Sequence, residues 1–305
     1  MSWDAVLIAG PTASGKSAAA LALAEQHNGA VVNADSMQVY DGLRVLTARP
    51  SAADEARAPH VLYGHVPVTA RYSVGRYIDD AGAVLKGLRA SGRLPIFTGG
   101  TGLYFHALTQ GLSPIPPVPS EIRDAQQALL DAMGVAAFYA EFAERDPEAA
   151  SSLNPGDSQR ILRAASVLAA TGRSLKAWQQ TREPPLLGES LNVARFVIAP
   201  PRALLHDRIA RRFNAMLSQG VLDEVRGLTG LDPTLPAARA LGVPPLLAHL
   251  AGDISLDAAV EAAVTETRQY AKRQLTWFRK YMADWKWLEM DDLRNIITFM
   301  AEKTA

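Results

Sequence analysis

Residues 5–17 read AVLIAGPTASGKS: a continuous apolar run from Ala5 to Ala9, a break at Gly10-Pro11, and a Gly-Lys-Ser triplet at 15–17. A short run without polar interruption suits a strand covered on both faces of a parallel sheet. Gly10-Pro11-Thr12-Ala13-Ser14-Gly15-Lys16-Ser17 then fits G-x-x-x-x-G-K-[ST], the phosphate-binding loop. In such a loop the backbone N–H groups converge on phosphate oxygens at a helix N-terminus, Lys16 adds a point charge, and the Ser17 hydroxyl can ligate Mg²⁺. The alternative is a plain glycine-rich turn. Against it stands the context, because Lys16 to Gln26 is rich in Ala and Leu and predicts the helix that the loop requires. The loop alone does not say whose phosphates it holds.

Moving outward, Asn28-Gly29 ends that helix and Ala30 to Asn33 is a second apolar run, completing a βαβ unit. Ser73 is placed to cap a helix running to about Ala90, Ser91-Gly92 closes it, and Leu94 to Thr98 (LPIFT) is a third buried strand. Strands alternating with helices predict an α/β core with a doubly wound parallel sheet. Where an ordinary phosphate-loop NTPase carries a Mg²⁺-holding carboxylate at the end of a later strand, LPIFT runs into Gly99-Gly100-Thr101-Gly102-Leu103-Tyr104. A glycine turn with one hydroxyl stands there instead, and a tight strand-to-helix connection explains it equally well. The nearest early carboxylate is Asp35, just past the second strand. Ligands of open α/β sheets bind beyond the carboxyl ends of the strands, so the loop, Asp35 and Thr101 are predicted to line one crevice. A turn-forming or capping role for Asp35 fits the same spacing.

The chain has 305 residues, enough for roughly two domains, and its 48% hydrophobic and 20% charged content is ordinary globular usage. Collagen, coiled coil and wholesale disorder are excluded. Thirty-one basic residues balance thirty-one acidic ones, so any nucleic-acid partner must be held by a local basic patch. With no cysteine there is no disulfide, thiolate zinc site, iron–sulfur cluster or thiol nucleophile. The start has no basic lead, and no stretch approaches the roughly eighteen apolar residues of a membrane span. These features predict a soluble, cytoplasmic protein without membrane association.

Ser113 to Ser120 (SPIPPVPS) holds four prolines and reads as a stiff linker. Beyond it, with Ser120 as an N-cap, helices are predicted at about 121–133, 136–145 and 158–171, ended by Glu183-Pro184-Pro185. Leu191 to Ala199 returns to strand character, and three or four helices follow from about 202, the longest from Leu256 to Met282. The division expected is a core at 1–113, an all-helical insertion at 114–188, and a return strand with a basic helical region at 189–305. Between Arg268 and Trp287, six bases (Arg268, Lys272, Arg273, Arg279, Lys280, Lys286) meet one acid, Asp284. Tyr270, Trp277, Phe278 and Tyr281 are interleaved, as on stacking or groove-tracking surfaces, although a solvated helix face with buried aromatics has the same pattern. Lys272, Arg273 and Arg279 are the expected phosphate contacts. Arg208, Arg211 and Arg212 form a second cluster. The six histidines show no metal-ligand spacing.

Taken together, GPTASGKS at 10–17, DSMQVY at 35–40, GGTGLY at 99–104, DSQRILRA at 157–164, RIARRF at 208–213 and TRQYAKRQLTWFR at 267–279 resemble the tRNA dimethylallyltransferases over nearly the whole chain. The resemblance implies a phosphate-loop core, a helical insertion clamping the tRNA anticodon stem-loop, and transfer of a dimethylallyl group from dimethylallyl diphosphate to N6 of adenosine 37. On that pattern Gly10, Pro11, Thr12, Ala13, Ser14, Gly15, Lys16 and Ser17 bind the diphosphate, and Asp35 is the general base. Lys16, Thr101, Arg212 and Ser17 with Mg²⁺ stabilise the leaving group. The tRNA contacts it implies are Asp35, Ser36, Met37, Gln38, Thr101, Arg123, Gln159, Arg160, Ile161, Leu162 and Arg163. Val45-Leu46-Thr47-Ala48-Arg49-Pro50 stands where the family pattern reads Ile-Gly-Thr-Ala-Lys-Pro. The absence of cysteine matches the bacterial type, which lacks the zinc finger of eukaryotic members. A clamp closing on one stem-loop needs no second subunit, so a monomer is expected. The alternatives are a small-molecule kinase with ATP in the loop, against which GGTGLY and the basic C-terminal region argue, and a non-catalytic RNA-binding or switch protein, against which Asp35 argues.

Overall fold

The computed structural model describes residues 3–289 and Ile296, so Met1, Ser2 and the rest of 290–305 lie outside the described residues. The chain runs β1 (Ala5–Ala9), α1 (Lys16–Gln26), β2 (Gly29–Asn33), α2 (Ala52–Arg57), β3 (His60–Val61), α3 (Val74–Ala90), β4 (Leu94–Gly99) and α4 (Gly102–Gln110). There follow α5 (Ser120–Arg145), α6 (Pro147–Ala150), α7 (Ser158–Thr171), α8 (Leu175–Trp178), β5 (Val193–Ile198), α9 (Arg202–Ser218), α10 (Val221–Arg226), α11 (Val243–Leu250), α12 (Leu256–Tyr281) and β6 (Lys286–Leu288). The chain divides into two compact units, one of residues 1–109 with 186–305 and one of residues 110–185.

In the larger unit six parallel strands lie in the order β3-β2-β4-β1-β5-β6. The predicted apolar run is the central strand β1, all five of its residues buried. Its side chains alternate between the two faces: Ala5, Leu7 and Ala9 pack with Phe97, Phe105 and Phe278, while Val6 and Ile8 pack with Leu23, Ile96 and Phe196. Register decides where function can sit. Ala9 pairs with Gly99, and Asn33 with Thr98, so β1, β2 and β4 end at one level and their following loops emerge side by side. A third apolar cluster joins the 39–46 loop to α9, α10, α11 and α12 through residues such as Tyr40, Leu43, Ile209, Phe213 and Leu246.

The smaller unit is helical, with Leu130, Phe138, Phe142, Ile161 and Ala164 in its core. The helices expected at 121–133 and 136–145 are both present as the two halves of α5, separated at Gly134 (φ 75°, ψ 164°), a non-helical conformation open to glycine without strain. Ser120 does not cap it. Pro119 occupies that position in extended conformation, and the Ser120 hydroxyl donates to Glu121 instead. Asp157 caps α7 by accepting from the Arg160 amide. Among the described residues no helix is long and apolar enough to cross a membrane.

Candidate active site

The phosphate loop connects β1 to α1. Ala13 (φ 64°) and Gly15 (φ 96°) take left-handed conformations, which turn the chain tightly above the first turn of α1, with the Ser14 amide donating to the Pro11 carbonyl at 3.2 Å. The loop is braced on its far side by α9, because Arg208 donates to the Ser14 carbonyl at 3.4 Å and Arg212 donates to the Thr12 hydroxyl. Lys16 lies across the mouth and donates to the Pro11 carbonyl at 3.2 Å. Burial lowers its ammonium from the ordinary 10.5 to about 8; the Asp35 carboxylate opposes this and Arg212 adds to it. Arg212 is lowered by burial too, again with Asp35 opposing. Three groups of opposing sign are thus held at one place, and a bound polyanion would relieve the mutual repulsion of the two cations. The crevice, about 680 Å³, is lined by the loop together with Asp35, Gln38, Arg208, Arg211 and Arg212.

Asp35 is fixed by its own turn. The fully buried Asn33 side chain accepts from the Asp35 amide and donates to the Asp35 and Leu62 carbonyls, all at 2.9–3.0 Å. Asp35 Oδ1 in turn accepts from the Met37 amide at 2.9 Å, so the turn-forming role is real. Its second oxygen, Oδ2, faces Gly100, where a built Cβ would stand 3.1 Å away. Across the gap Thr101 Oγ1 accepts from the Ser36 amide at 2.9 Å and donates to the Ser36 hydroxyl at 3.2 Å. The loop and Asp35 line one crevice, whereas Thr101 is joined to the Asp35 turn through Ser36 and does not itself line it. Tyr63, Tyr104 and Tyr270 lie within reach of the Asp35 charge, and all three phenols are raised, first by burial and then by that charge.

A residue the sequence reading missed ties these pieces together. Gln274 of α12, 5% exposed, accepts from the Thr12 amide at 3.0 Å and donates to the Gly100 carbonyl at 2.8 Å. A Cβ on Gly100 would stand 2.1 Å from the Gln274 amide nitrogen, and one on Gly102 would stand 2.1 Å from the Trp277 ring. The glycine turn is therefore a seat for two side chains of α12. The available signal was Gln274 in the stripe Thr267, Ala271, Gln274, Phe278, whose helical spacing marks the buried face.

That stripe also corrects the expected stacking surface. Phe278 is fully buried and Trp277 half-buried, because helical periodicity turns them to the core, while Lys272, Arg273, Arg279 and Lys280 are exposed. Tyr281 alone of the four aromatics is exposed, with Lys280 5.0 Å from its ring centre. Met37 and Gln38 reach the site differently. Met37 lines an apolar pocket with Leu46, Ile209, Phe213 and Met216, and that pocket shares Thr12, Asp35, Thr47 and Arg212 with the phosphate crevice. Gln38 donates to the Thr47 and Ala48 carbonyls and so fixes the loop there.

In the helical unit, Arg123 is half-exposed on the first turn of α5 and paired with Asp124 at 3.1 Å. Gln159, Arg160 and Arg163 lie on the exposed side of α7. Ile161 does not; fully buried, its side chain belongs to that unit's core, and Leu162 packs partly against the same cluster while staying part-exposed. Among the described residues no group of three or more His, Asp or Glu side chains is arranged to hold a metal.

The sequence profile of the IPP transferase family matches residues 38–281, and that of isopentenyl transferases matches residues 3–61. A tRNA dimethylallyltransferase of a Bradyrhizobium species is 54% identical, covering 97% of each chain. One of Rhodopseudomonas palustris is likewise 54% identical, over 94% of this chain and 90% of its own. Among solved structures, a full-length tRNA isopentenylpyrophosphate transferase of Bacillus halodurans superposes with a TM-score of 0.69 at 31% identity, covering 98% of this chain and 95% of that one. A eukaryotic dimethylallyltransferase acting on tRNA gives a TM-score of 0.81 at 25% identity, covering 99% of this chain and 78% of that one. With a profile match across most of its length and full-length relatives above half identity, this chain belongs to the IPP transferase family, the family of the tRNA dimethylallyltransferases.

Proposed function

We propose that the protein transfers a dimethylallyl group from dimethylallyl diphosphate to N6 of adenosine 37 in tRNA, releasing pyrophosphate. The observation that carries this reading is a phosphate loop opposed at one crevice by Asp35, with an apolar pocket opening from the same crevice. A diphosphate ester of a short alkyl chain needs both surroundings at once, and ATP needs only the first. The N6 lone pair attacks the allylic carbon, the carbon–oxygen bond breaks, and pyrophosphate leaves with the bonding electrons. Asp35 takes the proton from N6 as general base. Lys16, Arg212 and the loop amides stabilise charge collecting on the departing oxygens, and Thr101 holds the Asp35-Ser36 turn at the reacting face.

The oxygen set fits Mg²⁺ as that ion is usually bound, by few protein oxygens plus phosphate. The exposed Ser17 hydroxyl at the start of α1 would hold it with the donor's phosphates. When bound, Mg²⁺ neutralises charge on the leaving diphosphate. Adenine reaches Asp35 only by leaving the anticodon-loop stack. The exposed Lys272, Arg273 and Arg279, and in the helical unit Arg123, Gln159, Arg160 and Arg163, are read as tRNA contacts. Activity is assigned to a single chain in the cytoplasm.

The test is incubation with unmodified tRNA and either labelled dimethylallyl diphosphate or labelled ATP, with the tRNA then read by mass spectrometry. One five-carbon unit per adenosine 37 supports the reading, and label from ATP on a small alcohol instead overturns it. Asp35→Asn keeps the shape and loses the basicity, so single-turnover transfer should fall about a hundred- to ten-thousand-fold while tRNA affinity changes little.

A further inference from the structure

We propose that Leu46 closes the far end of the donor's alkyl pocket and thereby sets the length of isoprenoid chain accepted. The inference rests on the reading above that the phosphate loop holds the donor's diphosphate. Because the apolar pocket shares Thr12, Asp35, Thr47 and Arg212 with the phosphate crevice, an ester anchored by the loop must send its chain between these residues into the pocket. Past them the walls are Leu46, Ile209, Phe213, Met216 and Leu241.

Two of these walls, neither of which lines the phosphate crevice, stand together. Leu46, 7% exposed, and the Phe213 ring converge on Gly242, where a built Cβ would stand 3.1 Å from Leu46 Cδ1 and 3.2 Å from Phe213 Cε2. The cavity measures about 70 Å³. An apolar cavity of roughly 150 Å³ takes benzene in a protein interior, so this pocket holds no more than the tip of one five-carbon chain entering from the mouth and leaves no room for a second unit.

Leu46 is also the wall that can be shortened without moving the rest. Its backbone is pinned independently of its side chain: the Glu224 carboxylate accepts from the Val45 amide at 2.6 Å and from the Leu46 amide at 2.8 Å. Gln38 holds the next two carbonyls, of Thr47 and Ala48, at 2.9 and 3.0 Å. Truncating Leu46 to alanine therefore leaves the loop in place and adds the vacated space to the pocket. The three carbons removed are fewer than the five of an isoprene unit, so the longer donor gains part of the space it needs, and its disadvantage shrinks without vanishing. The bonds made and broken with a ten-carbon donor are those of the five-carbon reaction, with pyrophosphate leaving and the N6 proton passing to Asp35.

The experiment compares wild type and Leu46→Ala with unmodified tRNA and either dimethylallyl or geranyl diphosphate, reading kcat/KM from the prenylated nucleosides. A single methylene in an apolar pocket is worth about 10- to 200-fold, so the wild type should prefer the five-carbon donor by more than about a hundredfold. Leu46→Ala should lower that preference at least roughly tenfold, chiefly through KM for the longer donor. If Leu46→Ala fails to fold, Leu46→Val, one methylene shorter, carries the test and should shift the preference in the same direction. A folded variant with the wild-type preference overturns the assignment of Leu46 while leaving the donor site intact. A wild type that cannot use dimethylallyl diphosphate overturns the donor reading itself.

Discussion

Replacing Gln274 by methionine removes the bridge between the phosphate loop and the glycine turn while keeping a side chain of similar length, so little cavity is created. Two hydrogen bonds are lost, to the Thr12 amide and to the Gly100 carbonyl. A typical hydrogen bond contributes about 1 kcal/mol net, and a buried group left without a partner costs about 1–3 kcal/mol. The Gly100 carbonyl loses its partner in a buried setting, whereas the Thr12 amide, at the edge of the crevice, can recruit water. The sum is about 2–4 kcal/mol, or a melting temperature lower by roughly 5–15 °C for a unit of this size. A second effect falls on the ligand. With Thr12 no longer held, the loop must order itself on binding, and fixing one backbone residue costs about 1–2 kcal/mol, equivalent to about tenfold weaker pyrophosphate binding. Thermal melts with and without pyrophosphate, together with titration calorimetry, measure both. A Gln274→Met protein melting within about 2 °C of wild type, with unchanged pyrophosphate affinity, would refute the bridge as a support of the site.

Lys16 titrates near 8 when nothing is bound, so it loses its proton as pH rises through that value. Because a diphosphate restores the charge, binding should take up a proton above pH 8, visible as buffer-dependent heats in calorimetry, and pyrophosphate affinity should fall with pH between 8 and 10.5. The sign for folding follows from the same depression: the charged form is penalised in the native state, the penalty being fully present below pH 8 and gone above 10.5. Lys16→Met should thus raise the melting temperature of the ligand-free protein at neutral pH while removing diphosphate binding. On the exposed face of α12, replacing Lys272, Arg273 or Arg279 by alanine should weaken all tRNA substrates alike and reduce the slope of log affinity against log salt by about one unit or less each. An unchanged slope would make them a solvated face only.

What the sequence made legible was whatever short-range pattern controls. The apolar run at 5–9 and the triplet at 15–17 set β1, the loop and α1, because a two-face-buried strand and a helix N-terminus are local demands. Asp35 and Thr101 could be placed opposite each other because both follow strand ends of a parallel sheet. The supports of these groups are non-local, and no local pattern marks them. Glu224 pins residues 45 and 46 from nearly two hundred positions away, and Asn33, a strand residue by pattern, spends its amide on the Asp35 turn. Phe278 looked available for stacking because composition does not report azimuth; only the 267-271-274-278 stripe shows which way it points. The short elements α2, α6, α8, β3 and β6, of two to six residues, fall below what periodicity can register.

The bond from Thr12 to Gln274 spans 262 positions, and this gives the site a place in time as well as in space. Synthesis proceeds at about 5–20 residues per second, so the loop emerges from the ribosome some 13–50 seconds before the residue that fixes it. Through most of that interval β1 lacks β5, and through all of it the loop lacks Gln274, so an anion meeting the nascent loop meets a Thr12 amide that is not yet held in position. The capacity to grip a diphosphate thus waits for α12, the basic helix proposed to contact tRNA. On the proposed assignment donor and acceptor sites mature together, and a truncated product carrying an intact Gly-Lys-Ser triplet should not become a competent sink for the donor.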